Sequence, residues 1–113
     1  MYGMTEEELS VLRGLFARQK EIERAVLYGS HARGVHKPFS DVDITLLGTG
    51  ISRSHLNHLL ADIDESSLPY FFDISIFSRL TNPALIEQIE KTGVTLYRRE
   101  DTPRDTEEKN IPG

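Results

Sequence analysis

Apolar residues along this chain recur at helical spacing in some stretches and as short unbroken runs in others, and the switches between the two fall at glycine, serine and proline. Thr5-Glu6-Glu7-Glu8 spells a capping box, and Leu9, Leu12, Leu15 and Phe16 follow at helical spacing, which predicts a first amphipathic helix. Ala25-Val26-Leu27-Tyr28 closes on Gly29-Ser30, and the run from Val42 to Leu47 closes on Gly48, so both read as buried strands. Between them Ser30 is placed to cap a short helix running through Arg33, ahead of a turn-prone stretch from Gly34 to Ser40 that includes Pro38. Leu56, Leu59, Leu60 and Ile63 form a second helical stripe, and Tyr70 to Phe77 reads as a third strand. Asn82-Pro83 has the form of an N-cap and first residue of a helix carrying Leu85, Ile86 and Ile89, with Gly93 as its stop. Val94 to Tyr97 makes a last short strand. From Arg98 to Gly113 nearly every residue is polar, Pro103 and Pro112 interrupt the stretch, and no apolar period survives. The expectation is one domain over residues 1–97 and a flexible polar C-terminal tail over residues 98–113. Alternating helix and strand predicts an α/β fold with helices covering a small sheet, whose strand order does not follow from the sequence.

Composition narrows what such a domain does. The chain has 113 residues, enough for a single modest core, and its 18 acidic against 13 basic residues give a formal charge of −5. Bulk attraction to nucleic acid or to a membrane surface is therefore not expected, and any phosphate binding has to be local. The absence of cysteine excludes a disulfide framework and a thiolate zinc site, and no run approaches membrane-spanning length. A cytoplasmic protein is the expectation, with self-association left open.

The chemistry concentrates in Gly29-Ser30-His31-Ala32-Arg33-Gly34, followed ten residues after Ser30 by Asp41-Val42-Asp43. Glycine and serine between a strand and a helix let backbone N–H groups approach an anion, and a helix N-terminus adds partial positive charge. Arg33, within the first turn, carries a fork of donors that reaches a phosphate if the side chain is suitably oriented. Asp41 and Asp43 stand two apart on a predicted strand, so their side chains leave the same face. Two carboxylates about 4 Å apart repel by roughly 4 kcal/mol at an effective dielectric near 20, which calls for a compensating cation or proton. Magnesium together with a triphosphate suits such a pair, because this ion is usually held by one or two carboxylates and by substrate phosphates.

Asp62-Ile63-Asp64 repeats the spelling at the end of a predicted helix, where residues two apart point to nearly opposite sides, so it is read as a solvated helix end. Asp73 stands alone among Phe71, Phe72, Ile74 and Ile76. Either it faces solvent at the edge of the sheet, or it joins Asp41 and Asp43 as a third metal ligand, the reading preferred here because the pair is waiting. His31 and His36 flank the phosphate seat but are expected to face solvent, Lys37 sits in a turn, and His55 with His58 forms a polar helix face with no group completing a zinc site. Phe71, Phe72, Phe77, Tyr28 and Tyr70 are expected to pack in the core or against a partner.

Gly29-Ser30, then ten residues, then Asp41-x-Asp43, then a later strand carrying Asp73, resembles the nucleotidyltransferase superfamily of DNA polymerase beta. The resemblance is to its minimal nucleotidyltransferase (MNT) branch and covers Thr5 to Tyr97. It implies a mixed sheet flanked by helices with the active site at one edge. It further implies that Gly29, Ser30 and Arg33 bind the triphosphate of ATP, and that Asp41, Asp43 and Asp73 bind two magnesium ions and are catalytic, Asp73 also serving as general base. Larger members append a domain for the acceptor, for which this chain is too short. Members of the MNT branch pair with a helical HEPN protein as antitoxin and toxin, which implies transfer of AMP to a tyrosine of the toxin. The competing readings are a catalytically silent antitoxin that neutralises its partner by contact, and a transferase acting on a small molecule such as an aminoglycoside.

Overall fold

The computed structural model describes residues 2–34 and 41–99. Helix α1 spans Glu6–Ala17, and Thr5 caps it in the predicted way, its hydroxyl accepting from the Glu8 N–H while the Glu8 carboxylate accepts from the Thr5 N–H. Thr5→Ala removes the hydroxyl that accepts from the Glu8 N–H, and thermal unfolding is expected to show a loss of about 1 kcal/mol.

Strand β1 is Arg24–Tyr28, helix α2 Ser30–Arg33, strand β2 Val42–Leu47 and helix α3 Arg53–Glu65. Strand β3 is Phe72–Ile76, followed by a 3₁₀ turn at Phe77–Arg79, helix α4 at Pro83–Thr92 and strand β4 at Val94–Arg98. The four strands form one sheet in the order β3-β2-β1-β4. Strand β1 runs antiparallel to both β2 and β4, and β2 runs parallel to β3, so the sheet is mixed as the resemblance implies.

Alternation decides the two faces. On one, Ala25, Leu27, Val42, Ile44, Leu46, Ile74 and Ile76 pack against Leu9, Leu12, Leu15 and Phe16 of α1 and Leu59 and Ile63 of α3. Burial of such side chains stabilises by about 1.5–3 kcal/mol each, which makes this layer the main source of stability. On the other face a smaller cluster joins Val26, Tyr28 and Ile89 of α4. Asn82 caps α4 through its side-chain oxygen and Pro83 begins it, as the sequence predicts. Among the described residues no helix is long and apolar enough to cross a membrane.

Three elements differ in detail from expectation. The third strand is shorter at both ends than Tyr70 to Phe77, because Phe77 enters the 3₁₀ turn and Phe71 stays outside the strand, exposed. Ser30 is the first residue of α2 and makes no capping hydrogen bond; Gly29 occupies the cap position. The last strand continues to Arg98, and Arg99 anchors on the carbonyls of Ala17, Gln19 and Ile22. The remainder of the expected tail, residues 100–113, lies outside the described residues, as do His36, Lys37, Pro38 and Ser40.

Candidate active site

Opposite strand directions bring the candidate residues to one end of the sheet. Because β1 is antiparallel to β2, and β2 parallel to β3, the C-terminal end of β1 lies beside the N-terminal ends of the other two. Tyr28 is the register partner of Asp43, and Asp43 is the register partner of Asp73. Register partners on neighbouring strands share a face with backbones about 5 Å apart, so these three side chains form one row. A slip of β3 by one residue would turn Asp73 into the apolar layer; Ile74 and Ile76, both buried there, hold the register.

Asp43 is half-buried, whereas Asp73 and Asp41 are exposed, the latter immediately before β2. Burial pushes the Asp43 carboxyl above the ordinary carboxylate range, the negative charges of Asp73 and Asp41 push it further, and His31 opposes them. Tyr28 is also raised, first by burial and then by Asp43 and Asp73, with a hydrogen bond to Ser75 acting the other way. Asp73 is thus both an edge carboxylate facing solvent and a neighbour of the Asp41/Asp43 pair.

Behind the carboxylates lies a hydroxyl row that the sequence reading missed. Thr45 is fully buried and pairs in register with Ser75; its hydroxyl accepts from Ser75 Oγ at 3.0 Å and donates to the Ser75 carbonyl at 3.5 Å. Strand alternation alone puts Thr45 behind Asp43 and Ser75 behind Asp73, so the signal was the matched spelling D-x-T and D-x-S.

Gly29 has φ +81° and ψ −155°, a combination essentially confined to glycine, and a Cβ there would stand 2.6 Å from Asp43 Oδ2. The bare backbone of the loop therefore lies directly against the half-buried carboxylate. Helix α2 is a single turn, so its dipole adds little, and backbone N–H groups are what this loop offers an anion. Arg33 is exposed on that turn.

His31, expected to face solvent, is instead buried, and its Nδ1 lies 3.0 Å from the carbonyl oxygen of Tyr2. The reason is the N-terminal segment, which lies over α2 with Met4 buried in the core. Asp62 and Asp64 are on α3 as expected; Asp62 pairs with Arg18 at 3.4 Å and Asp64 is exposed. His55 completes the cap of α3 with Ser52 and contacts Glu21 at 3.5 Å.

Among the described residues no group of three or more His, Cys, Asp or Glu side chains is gathered into a metal cage. Magnesium does not require one, since substrate phosphates and water commonly fill most of its positions. An all-oxygen donor set at Asp43, Asp73 and neighbouring Asp41, with burial and then like charges raising the Asp43 pKa, fits a hard divalent cation that arrives with a nucleotide.

Residues 11–102 match the family described as polymerase beta, nucleotidyltransferase. A search of curated proteins gives no match. Among solved structures, a toxin-antitoxin with AMP-PNP aligns with a TM-score of 0.66 at 20% identity, covering 92% of this chain and 82% of the other. The MntA-HpeT toxin-antitoxin, in a mutant with two aspartates replaced by glutamate, aligns at 0.64 with 17% identity, over 96% and 83% of the two chains. The tri-AMPylated Shewanella oneidensis HEPN toxin in complex with MNT antitoxin aligns at 0.62 with 18% identity, over 96% and 82%.

Proposed function

Because the chain belongs to the polymerase beta nucleotidyltransferase family, we propose that it transfers AMP from ATP to a tyrosine hydroxyl of a helical HEPN partner, as an antitoxin acting on its toxin in the cytoplasm. The observation that carries the reading is the pairing of Asp43 with Asp73 in register, with Asp43 lying against the bare backbone of Gly29. The solved complexes with AMP-PNP and with an AMPylated HEPN toxin support the choice of nucleotide and acceptor.

In this reading Asp41, Asp43 and Asp73 hold two magnesium ions, which, when bound, polarise the α-phosphate and neutralise the departing pyrophosphate. The backbone N–H groups at Gly29 and Ser30 seat the triphosphate, and Arg33 swings from its exposed position to a phosphate oxygen. Asp73, on the edge strand and open to an incoming group, takes the proton of the acceptor hydroxyl as its oxygen bonds to the α-phosphorus and the bond to pyrophosphate breaks. The hydroxyls of buried Thr45 and half-buried Ser75 fix the two strands on which Asp43 and Asp73 stand.

Intact-mass analysis of the helical partner, incubated with the full chain, ATP and magnesium, tests the proposal. An added AMP is expected, with a rate that falls about a hundredfold or more in Asp73→Asn. A tight complex with no mass change would instead establish an antitoxin that acts by binding alone.

A further inference from the structure

Helix α2 is one turn long, and a glycine of positive φ stands at each of its ends, Gly29 at +81° and Gly34 at +72°. A lone turn fixes several backbone angles for very few hydrogen bonds, so it keeps its place only through contacts with the rest of the fold. The turn carries Ser30 and Arg33 and leads directly from Gly29, whose backbone lies against Asp43. Ala32 packs against the main core. His31, only 3% exposed, meets the N-terminal segment, where its Nδ1 stands 3.0 Å from the Tyr2 carbonyl oxygen. A carbonyl can only accept, so Nδ1 carries the proton and donates it.

The segment that receives this bond is itself held in place. Met4 is buried in the core, and Tyr2 packs against it. Tyr2 has φ +55° and Gly3 φ +82°, the left-handed region, which a tyrosine adopts where its surroundings hold it there. Their two carbonyls serve different elements. That of Tyr2 meets His31, and that of Gly3 accepts from the Tyr70 hydroxyl at 3.0 Å, a proton shared with the Glu8 carboxylate at 2.5 Å. The Tyr70 ring meets Phe72 edge-on at 6.1 Å, in the residue immediately before Asp73. Tyr2, Gly3 and Met4 therefore bridge the turn after β1 and the entry to β3.

We infer that His31 is a positioning residue, whose bond to the Tyr2 carbonyl fixes α2 so that the Gly29 and Ser30 backbone is held beside Asp43 for the triphosphate. The inference rests on the transferase reading above and adds that the N-terminal segment, which supplies no group to the carboxylate row, sets the affinity for the nucleotide. Two substitutions separate this role from its rivals. Asparagine places an amide N–H where histidine has Nδ1 and keeps the bond; leucine fills the space and loses it.

Calorimetry of Mg·ATP binding to the full chain, with thermal unfolding to confirm that each variant is folded, is the test. His31→Leu is expected to raise Kd about tenfold, the scale of one hydrogen bond, whereas His31→Asn stays within about twofold of the parent. Gly3→Val, a β-branched residue at positive φ, displaces the bridge without touching α2 and is expected to raise Kd about tenfold as well. The double variant His31→Leu with Gly3→Val is also expected near about tenfold, because both changes break one link. Parent affinity in His31→Leu would mean that the ring only fills space, and equal losses in His31→Asn and His31→Leu would mean that the imidazole itself is needed; either overturns the positioning role. So does a loss of about a hundredfold in the double variant, the product of two independent effects. Should His31→Leu fail to fold, Gly3→Val carries the test, and parent affinity there overturns the bridge. A parent chain that binds Mg·ATP while the variants bind equally well removes only the bridge, whereas a parent chain that does not bind Mg·ATP removes the transferase reading and the bridge with it.

Discussion

Asp43→Asn is expected to make the chain more stable to heat and, at the same time, to reduce AMP transfer by about a hundred- to a thousandfold, the scale of removing one group that stabilises transition-state charge. Both effects have one cause. Asp43 is half-buried beside two other carboxylates, and burial together with their charges raises its pKa. A carboxyl whose pKa is higher in the folded chain than in the unfolded one adds stability below the ordinary carboxylate range, and that contribution is lost as pH climbs through the raised value. At neutral pH the ionised group is therefore a net cost, which asparagine removes. Because solvent screens a half-exposed site, the gain is modest, roughly 2–4 °C in Tm or about half a kcal/mol. In a chelating buffer the difference between variant and parent is expected at pH 7 and gone near about pH 3, where both carry a neutral group. A variant that loses stability at pH 7 would mean that Asp43 is held by unseen favourable partners rather than strained by its neighbours.

The same residue shows how far the sequence reached. Val42 to Leu47 was legible as a strand, end to end, because Val42, Ile44, Leu46 and Leu47 crowd one short run and Gly48 closes it, and the caps at Thr5 and Asn82 are local hydrogen-bond patterns that need no tertiary context. The facing of Asp43 and Asp73 was not legible by spacing, since it depends on β2 and β3 pairing in parallel, and that pairing is set by α3 covering both strands from one side. Aromatic runs hide strand ends for a related reason. Phe71 and Phe72 are the same residue type in sequence, yet one is exposed and the other packs against the core. His31 escaped detection because what buries it is the N-terminal segment, nearly thirty residues away in sequence.

Gly29→Ala is the second change with a large expected effect, and Gly34 provides its control. The φ of +81° and ψ of −155° at Gly29 disfavour any side chain, and the added Cβ would also meet Asp43 Oδ2 at 2.6 Å. Strain alone is worth about 1–3 kcal/mol, which for a chain of this size corresponds to a fall of several degrees in Tm. The clash adds a consequence for chemistry, because the easiest relief is for the Asp43 carboxylate to turn away from the loop, separating the proposed metal ligand from the proposed phosphate seat. Gly34 also has positive φ, +72°, but with ψ 17° it sits in the left-handed helical region and a Cβ there meets nothing within 4 Å. Gly34→Asn is accordingly expected to cost well under about 1 kcal/mol, since asparagine tolerates that region, and to leave nucleotide binding intact. Thermal unfolding and Mg·ATP calorimetry on the two variants separate the explanations. If Gly29→Ala loses stability but keeps full Mg·ATP affinity, the glycine serves only the turn. If affinity falls further than the loss of folded chain accounts for, the close approach of loop backbone and carboxylate is itself part of the binding site.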